Sequence, residues 1–106
     1  MPKYLCIGSY THEGAKGLAK EGAAARRAAA AKAAESVGGK LDAFYFALGS
    51  DDFYVTIDFP DNASAAAVAV AAGQSGAVTS RMIALLTPEE MDAALKKPVQ
   101  FRPPGG

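Results

Sequence analysis

One histidine, one cysteine and four tyrosines are the side chains from which this sequence could build chemistry. His12 stands alone, so neither an imidazole metal cluster nor a Ser-His-Asp arrangement can be assembled within one chain without it. It sits beside Glu13, where a first strand meets a first helix, and a solvated loop histidine is expected there ahead of a metal ligand. Cys6 lies among Tyr4, Leu5 and Ile7 with no base next to it, and reads as a small hydrophobe before it reads as a nucleophile. Asp51 and Asp52 offer two adjacent carboxylates, but aspartate is common in hairpin turns for backbone reasons alone. Asp58 differs, because strand alternation sends it to the same side as Tyr54 and Thr56. Arg81, Tyr10 and Tyr45 could join that group. A mostly apolar lining with a few convergent polar groups is how small-ligand pockets are made. The competing reading is an Asp–Arg pair and tyrosine hydroxyls that satisfy one another across a dimer. Tyr10, His12, Tyr45, Tyr54, Asp58 and Arg81 are therefore the candidate ligand-binding set, and no catalytic residue or metal site is assigned.

The elements that must position these residues follow from pattern. Residues 3–10 mix aromatic and aliphatic side chains and predict a strand. Thr11 is placed to cap one long helix reaching Val37, loosened at its start by Gly14, Gly17 and Gly22. Leu18, Ala25, Ala29, Ala33 and Val37 give it a narrow stripe of small residues, expected to let it lie close on a sheet. Gly38-Gly39 supplies the stop. A second strand over 40–48 has Leu41, Ala43, Tyr45 and Ala47 on one face and Phe44, Phe46 and Leu48 on the other. Gly49-Ser50-Asp51-Asp52 turns the chain into a cleanly alternating strand over 53–59, which implies an antiparallel hairpin. Pro60 ends it, and Asp61 caps a helix over 62–72 that Gly73 and Gly76 close. A fourth strand covers 77–86. Thr87-Pro88-Glu89-Glu90 then forms a complete helix start, with a short helix to Lys97. Gly39, Gly49, Asp52 and Gly76 are assigned to the turns.

The order β-α-β-β-α-β plus a terminal helix predicts an α+β fold of ferredoxin-like type, with a four-stranded antiparallel sheet. Both main helices would cover one face and leave the other open. A bare, partly apolar face favours pairing through two-fold symmetry. Residues 1–97 form one domain and Pro98 to Gly106 an extended Pro/Gly-rich tail. Eleven basic residues balance eleven acidic ones, so no overall field draws in nucleic acid or an anionic membrane. The alanine-rich stretches around 23–34 and 63–72 are respectively interrupted by charge and too short to cross about 30 Å of hydrocarbon. A lone cysteine fits a reducing compartment, so a cytoplasmic location is expected.

The sequence resembles the GYD-domain family of small dimeric α/β-barrel proteins from about Lys3 to Met91. The resemblance is carried by Tyr10-Thr11 with Glu13-Gly14, Gly38-Gly39-Lys40-Leu41 leading to Phe44-Tyr45, and Pro60-Asp61-Asn62. Ser75-Gly76-Ala77-Val78 and Leu85-Leu86-Thr87-Pro88-Glu89-Glu90 complete it. The chain departs from the family at the hairpin turn, where Asp51 stands in place of the tyrosine of the Gly, Tyr, Asp motif, while Gly49 and Asp52 match. The resemblance implies a ferredoxin-like fold and sheet-mediated dimers, and it brings no established activity. Related barrel families include heme proteins, which is the one route by which His12 would become a heme ligand.

Three functions are compatible with these residues. The first is a self-assembling protein that binds a small, anionic or aromatic molecule between paired sheets, with Arg81 meeting the anion and Tyr10, Tyr45 and Tyr54 packing on it. The second is a cofactor-independent or heme-assisted enzyme, by analogy of fold alone. The third is a structural unit that stacks dimers through its tail. The first is preferred, with a homo-oligomer and a small molecule as partners, no cofactor, and no nucleic acid or membrane.

Overall fold

A computed structural model describes all 106 residues. Strands β1 (Lys3–Tyr10), β2 (Lys40–Phe46), β3 (Phe53–Asp58) and β4 (Val78–Leu85) form one antiparallel sheet in the order β2-β3-β1-β4. Helices α1 (His12–Glu21), α2 (Ala23–Ser36) and α3 (Asn62–Gln74) fill the two crossovers, and α4 (Pro88–Leu95) follows the last strand. This is the expected α+β, ferredoxin-like arrangement.

Local chemistry sets each boundary. Thr11 caps α1 by accepting the Gly14 N–H at 3.2 Å. Its own hydroxyl donates to the Gly76 carbonyl at 2.7 Å, tying the first crossover to the loop before β4. Asp61 caps α3 by accepting the Ser64 N–H at 2.8 Å. At Thr87 the capping box is complete: the hydroxyl accepts the Glu90 N–H at 3.1 Å, and Glu90 accepts the Thr87 N–H at 3.0 Å.

Two expectations are corrected. The long helix is broken at Gly22, whose backbone (φ 91°, ψ 165°) lies where side-chain-bearing residues are strained. Glycine there ends α1 and lets the chain restart as α2. Strand β2 ends at Phe46 rather than at residue 48, and it does not alternate as read. A bulge between Leu41 and Ala43 absorbs Asp42, so that Leu41 and Phe44 both turn to the helix side. Leu48, two residues beyond the strand, is fully exposed.

The core lies between the sheet and the helices. Tyr4, Phe53, Val55, Ile57 and Phe59 meet Ala34 of α2 and Ala65 of α3, with Phe59 wholly buried against the edge of the Tyr4 ring. It is a thin core, because only ten residues of the chain are buried. Each helix brings alanine where a longer side chain would fill the space between them.

Candidate functional site

Strand register sorts the candidate residues into separate places. On the open face, Tyr45, Tyr54, Ile7 and Arg81 form one row across all four strands, each paired with the next. Ile7 is 6% exposed although it lies outside the helix-side core, flanked by the long side chains of Tyr54 and Arg81. At the hairpin end of this row the Asp51 carboxylate lies 3.9 Å from the Arg81 guanidinium and 3.4 Å from the Tyr54 hydroxyl. Asp58 stands at the other end of the face, 3.0 Å from the Lys3 ammonium. Lys3 also reaches Asp42 at 3.1 Å, and Asp42 accepts the Thr56 hydroxyl at 2.9 Å. Those contacts raise the Lys3 pKa, with Asp58 the larger influence, and the Thr56 and Lys3 hydrogen bonds hold the Asp42 carboxyl below the usual range.

The face therefore brings Tyr45, Tyr54 and Arg81 together and keeps Asp58 apart from them. Tyr10 is not on this face at all. Even-numbered residues of β1 point to the helices, and the Tyr10 ring lies 5.3 Å from that of Phe53 in the core layer. His12, the first residue of α1, is exposed and faces none of the others. The turn assignments hold a distinct role for Asp52: its carboxylate accepts the Tyr10 N–H at 2.8 Å, and its own N–H donates to the Gly8 carbonyl at 2.8 Å. Gly39 abuts the Asp58 carbonyl, while Gly49 and Gly76 occupy the turn positions with φ of 153° and 74°.

A well-formed concavity lies on the opposite side, where sequence reasoning did not place it. A cleft of about 440 Å³ runs between α2, α3 and the sheet. Its walls are Ala29, Ala30 and Ala33 of α2, Val68 and Ala72 of α3, and Phe44, Phe53 and Val55 of the sheet floor. The stripe of small residues that predicts close helix-to-sheet packing has the reverse effect. Ala34 does seat against the core, but its neighbours are too short to close the remaining space. The signal was present in the sequence, since two alanine-rich helices face one sheet.

Polar groups in the cleft are few. Tyr10 and Arg26 line it together with Cys6, Ser36, Ser75 and Ser80. Burial pushes the Tyr10 hydroxyl above its ordinary pKa, against a smaller downward pull from Arg26, so it stays a neutral donor at physiological pH. Arg26 is held 3.0 Å from Glu21 at the Gly22 break. Burial likewise raises the Cys6 thiol, partly offset by a hydrogen bond with Ser80. No carboxylate or imidazole is among the lining residues. Nowhere in the molecule do three His, Cys, Asp or Glu side chains gather as a metal would require, and no helix is long and apolar enough to cross a membrane.

No curated protein and no solved structure matches the chain. A sequence model of the GYD domain matches residues 4–95, nearly the whole folded part, and it spans all four strands and α4. The chain belongs to the GYD domain family.

Proposed function

We propose that this protein binds a small, mainly apolar molecule in the helix-side cleft and works as a homo-oligomer in a reducing, cytoplasmic setting. The observation that carries the reading is the cleft itself. Its volume of about 440 Å³ falls within the few hundred to about 1,000 Å³ usual for small-molecule sites. Tyr10 and Arg26 give it a donor and a cation, which suits a ligand with an apolar body and one anionic or acceptor group. Arg26, itself paired with Glu21 at 3.0 Å, supplies within the cleft lining the kind of cation that the sequence suggested in Arg81, which lies on the other face. The self-association reading rests on the open face, where Tyr45 and Tyr54 stand exposed beside Leu5 and Ile83.

Anilinonaphthalenesulfonate, which joins fused aromatic rings to a sulfonate, is a suitable probe of the cleft. Saturable fluorescence enhancement is expected, weakened by Arg26→Ala and abolished by Ala33→Phe, which fills the cleft from α2. Enhancement that survives Ala33→Phe unchanged would place the dye elsewhere and remove the support for this site. Native mass spectrometry of freshly purified protein should show a dimer with a discrete added mass.

A further inference from the structure

The most unusual surface of the molecule is its last segment. Every residue from Leu86 to Gly106 is exposed, although α4 is a fully built helix with a complete capping box and proline at its first turn. Met91 and Leu95 are four residues apart, so they stand on one side of α4. Val99 and Phe101 continue the apolar run beyond its end. Leu95, Val99 and Phe101 are each at least 75% exposed. An eight-residue helix with nothing packed on it is marginal in water, whatever its caps.

The dimensions of the whole chain say the same. Its radius of gyration is 16.8 Å, where a compact chain of this length has about 13 Å. It measures 56 × 33 × 23 Å. Its accessible surface is 7325 Å², against about 5,500 Å² for a compact monomer of this mass. The difference, about 1,800 Å², is roughly twice what each partner gives to a standard protein interface.

We propose that residues 86–101 are an exchange arm: they lie across a second copy of this chain, where Leu95, Val99 and Phe101 pack against the other copy's sheet. The occupant is a second copy because both halves of such an interface are present on one chain. The arm supplies apolar knobs, and the open face supplies Leu5, Ile83, Tyr45 and Tyr54 as an apolar floor. The two are continuous through Leu86, which leads directly out of β4. A self-complementary surface of this kind closes under two-fold symmetry, with each copy giving and receiving one arm. The short α4 would then be held by contacts between chains, which its own fold does not provide. This inference rests on the self-association reading above and is independent of the ligand cleft.

The test uses the full chain. Sedimentation analysis should show a dimer, and Val99→Asp with Phe101→Asp should raise its dissociation constant by at least about 100-fold, or roughly 2.7 kcal/mol. Since neither residue is buried within one chain, the circular dichroism of the domain should be preserved. Isotope-filtered nuclear Overhauser spectra of a mixed labelled and unlabelled sample should connect Phe101 of one copy to the sheet of the other. A monomeric wild-type chain would overturn both this proposal and the self-association reading. A dimer unmoved by the double substitution, with Phe101 contacts confined to its own chain, would overturn the arm alone. If the double variant proves misfolded, the filtered spectra of the unaltered protein still decide the matter.

Discussion

The Asp52 carboxylate accepts the backbone N–H of Tyr10 at 2.8 Å, joining the β2–β3 turn to the last residue of β1 across 42 positions of sequence. Tyr10 has passed the end of the β1–β3 pairing, so its N–H has no strand partner there and the side chain takes that place. The contact also fixes the Tyr10 ring where it floors the cleft. Asp52→Ala should therefore lower stability by about 1–2 kcal/mol, toward the low end for a hydrogen bond to a charged group because the contact is only half-buried. That corresponds to a fall in Tm of about 5–10 °C for a domain of this size. Thermal denaturation followed by circular dichroism measures it, and an unchanged Tm would mean that the contact is replaced by water at no cost.

Gly14 offers a stronger test of packing. A methyl group placed on it would run into the Ala77 carbonyl, and the loop there is already held by the Thr11 N–H donating to that same oxygen at 2.9 Å. Gly14→Ala gains helix propensity and loses this fit, and the steric cost should dominate by about 1–3 kcal/mol. Urea denaturation should show a lower midpoint for Gly14→Ala. Gly17→Ala, where nothing lies within reach of the new methyl, should be neutral or stabilising.

Acid should weaken the fold through two carboxylates. The Ser64 N–H holds the Asp61 pKa below the ordinary range, and Thr56 followed by Lys3 does the same for Asp42. A depressed carboxyl pKa adds stability that is complete above the ordinary aspartate range and is lost as pH falls through the folded value. The Lys3 contribution has the opposite sense: its raised pKa gives stability lost only when pH climbs above the ordinary lysine range. Asp61→Asn keeps a capping oxygen but cannot titrate, so its stability profile should be flatter on the acid side than that of the parent. Identical acid limbs would show that Asp61 is not among the groups responsible.

Cys6 provides a reporter inside the cleft. Its thiol is pushed up by burial, so alkylation by iodoacetamide at about pH 8 should be slower than for free cysteine. Saturating anilinonaphthalenesulfonate should slow it further if the dye fills the space that Cys6 lines. Protection lost in Ala33→Phe would link both effects to one site, and alkylation at the free-cysteine rate would show that the thiol is open to solvent.

Much of this architecture was legible from residue types. The caps at Thr11, Asp61 and Thr87 stand where their side chains announce them, because a cap is a local hydrogen bond that needs no tertiary context. Strand β3 alternates as written, with Phe53, Val55 and Ile57 buried. The helix break was ambiguous, since three glycines precede the alanine run and only the backbone at Gly22 shows which one interrupts it. Asp42 was illegible as a bulge because strict alternation through it looks equally good. That shift did not move Tyr45, whose pairing with Tyr54 keeps it on the open face with Arg81. Tyr10 could have been placed correctly, because it shares parity with Tyr4 and Cys6 on a strand without a bulge. The cleft was the larger omission. Alanine on a helix is compatible with close packing or with a gap, and the distance between helix and sheet decides which one forms.

The alanine walls also bear on how such a site changes over evolutionary time. A pocket bounded by bulky side chains can be remodelled only by disturbing a packed jigsaw, whereas one bounded by methyl groups can be narrowed in single-residue steps. Substituting valine, leucine or phenylalanine at Ala29, Ala33 or Ala72 would trim the cleft from different sides and leave the sheet floor in place. The same scaffold could thus be retuned to ligands of different length and girth by a handful of point changes, with the hydroxyl of Tyr10 kept as a fixed anchor.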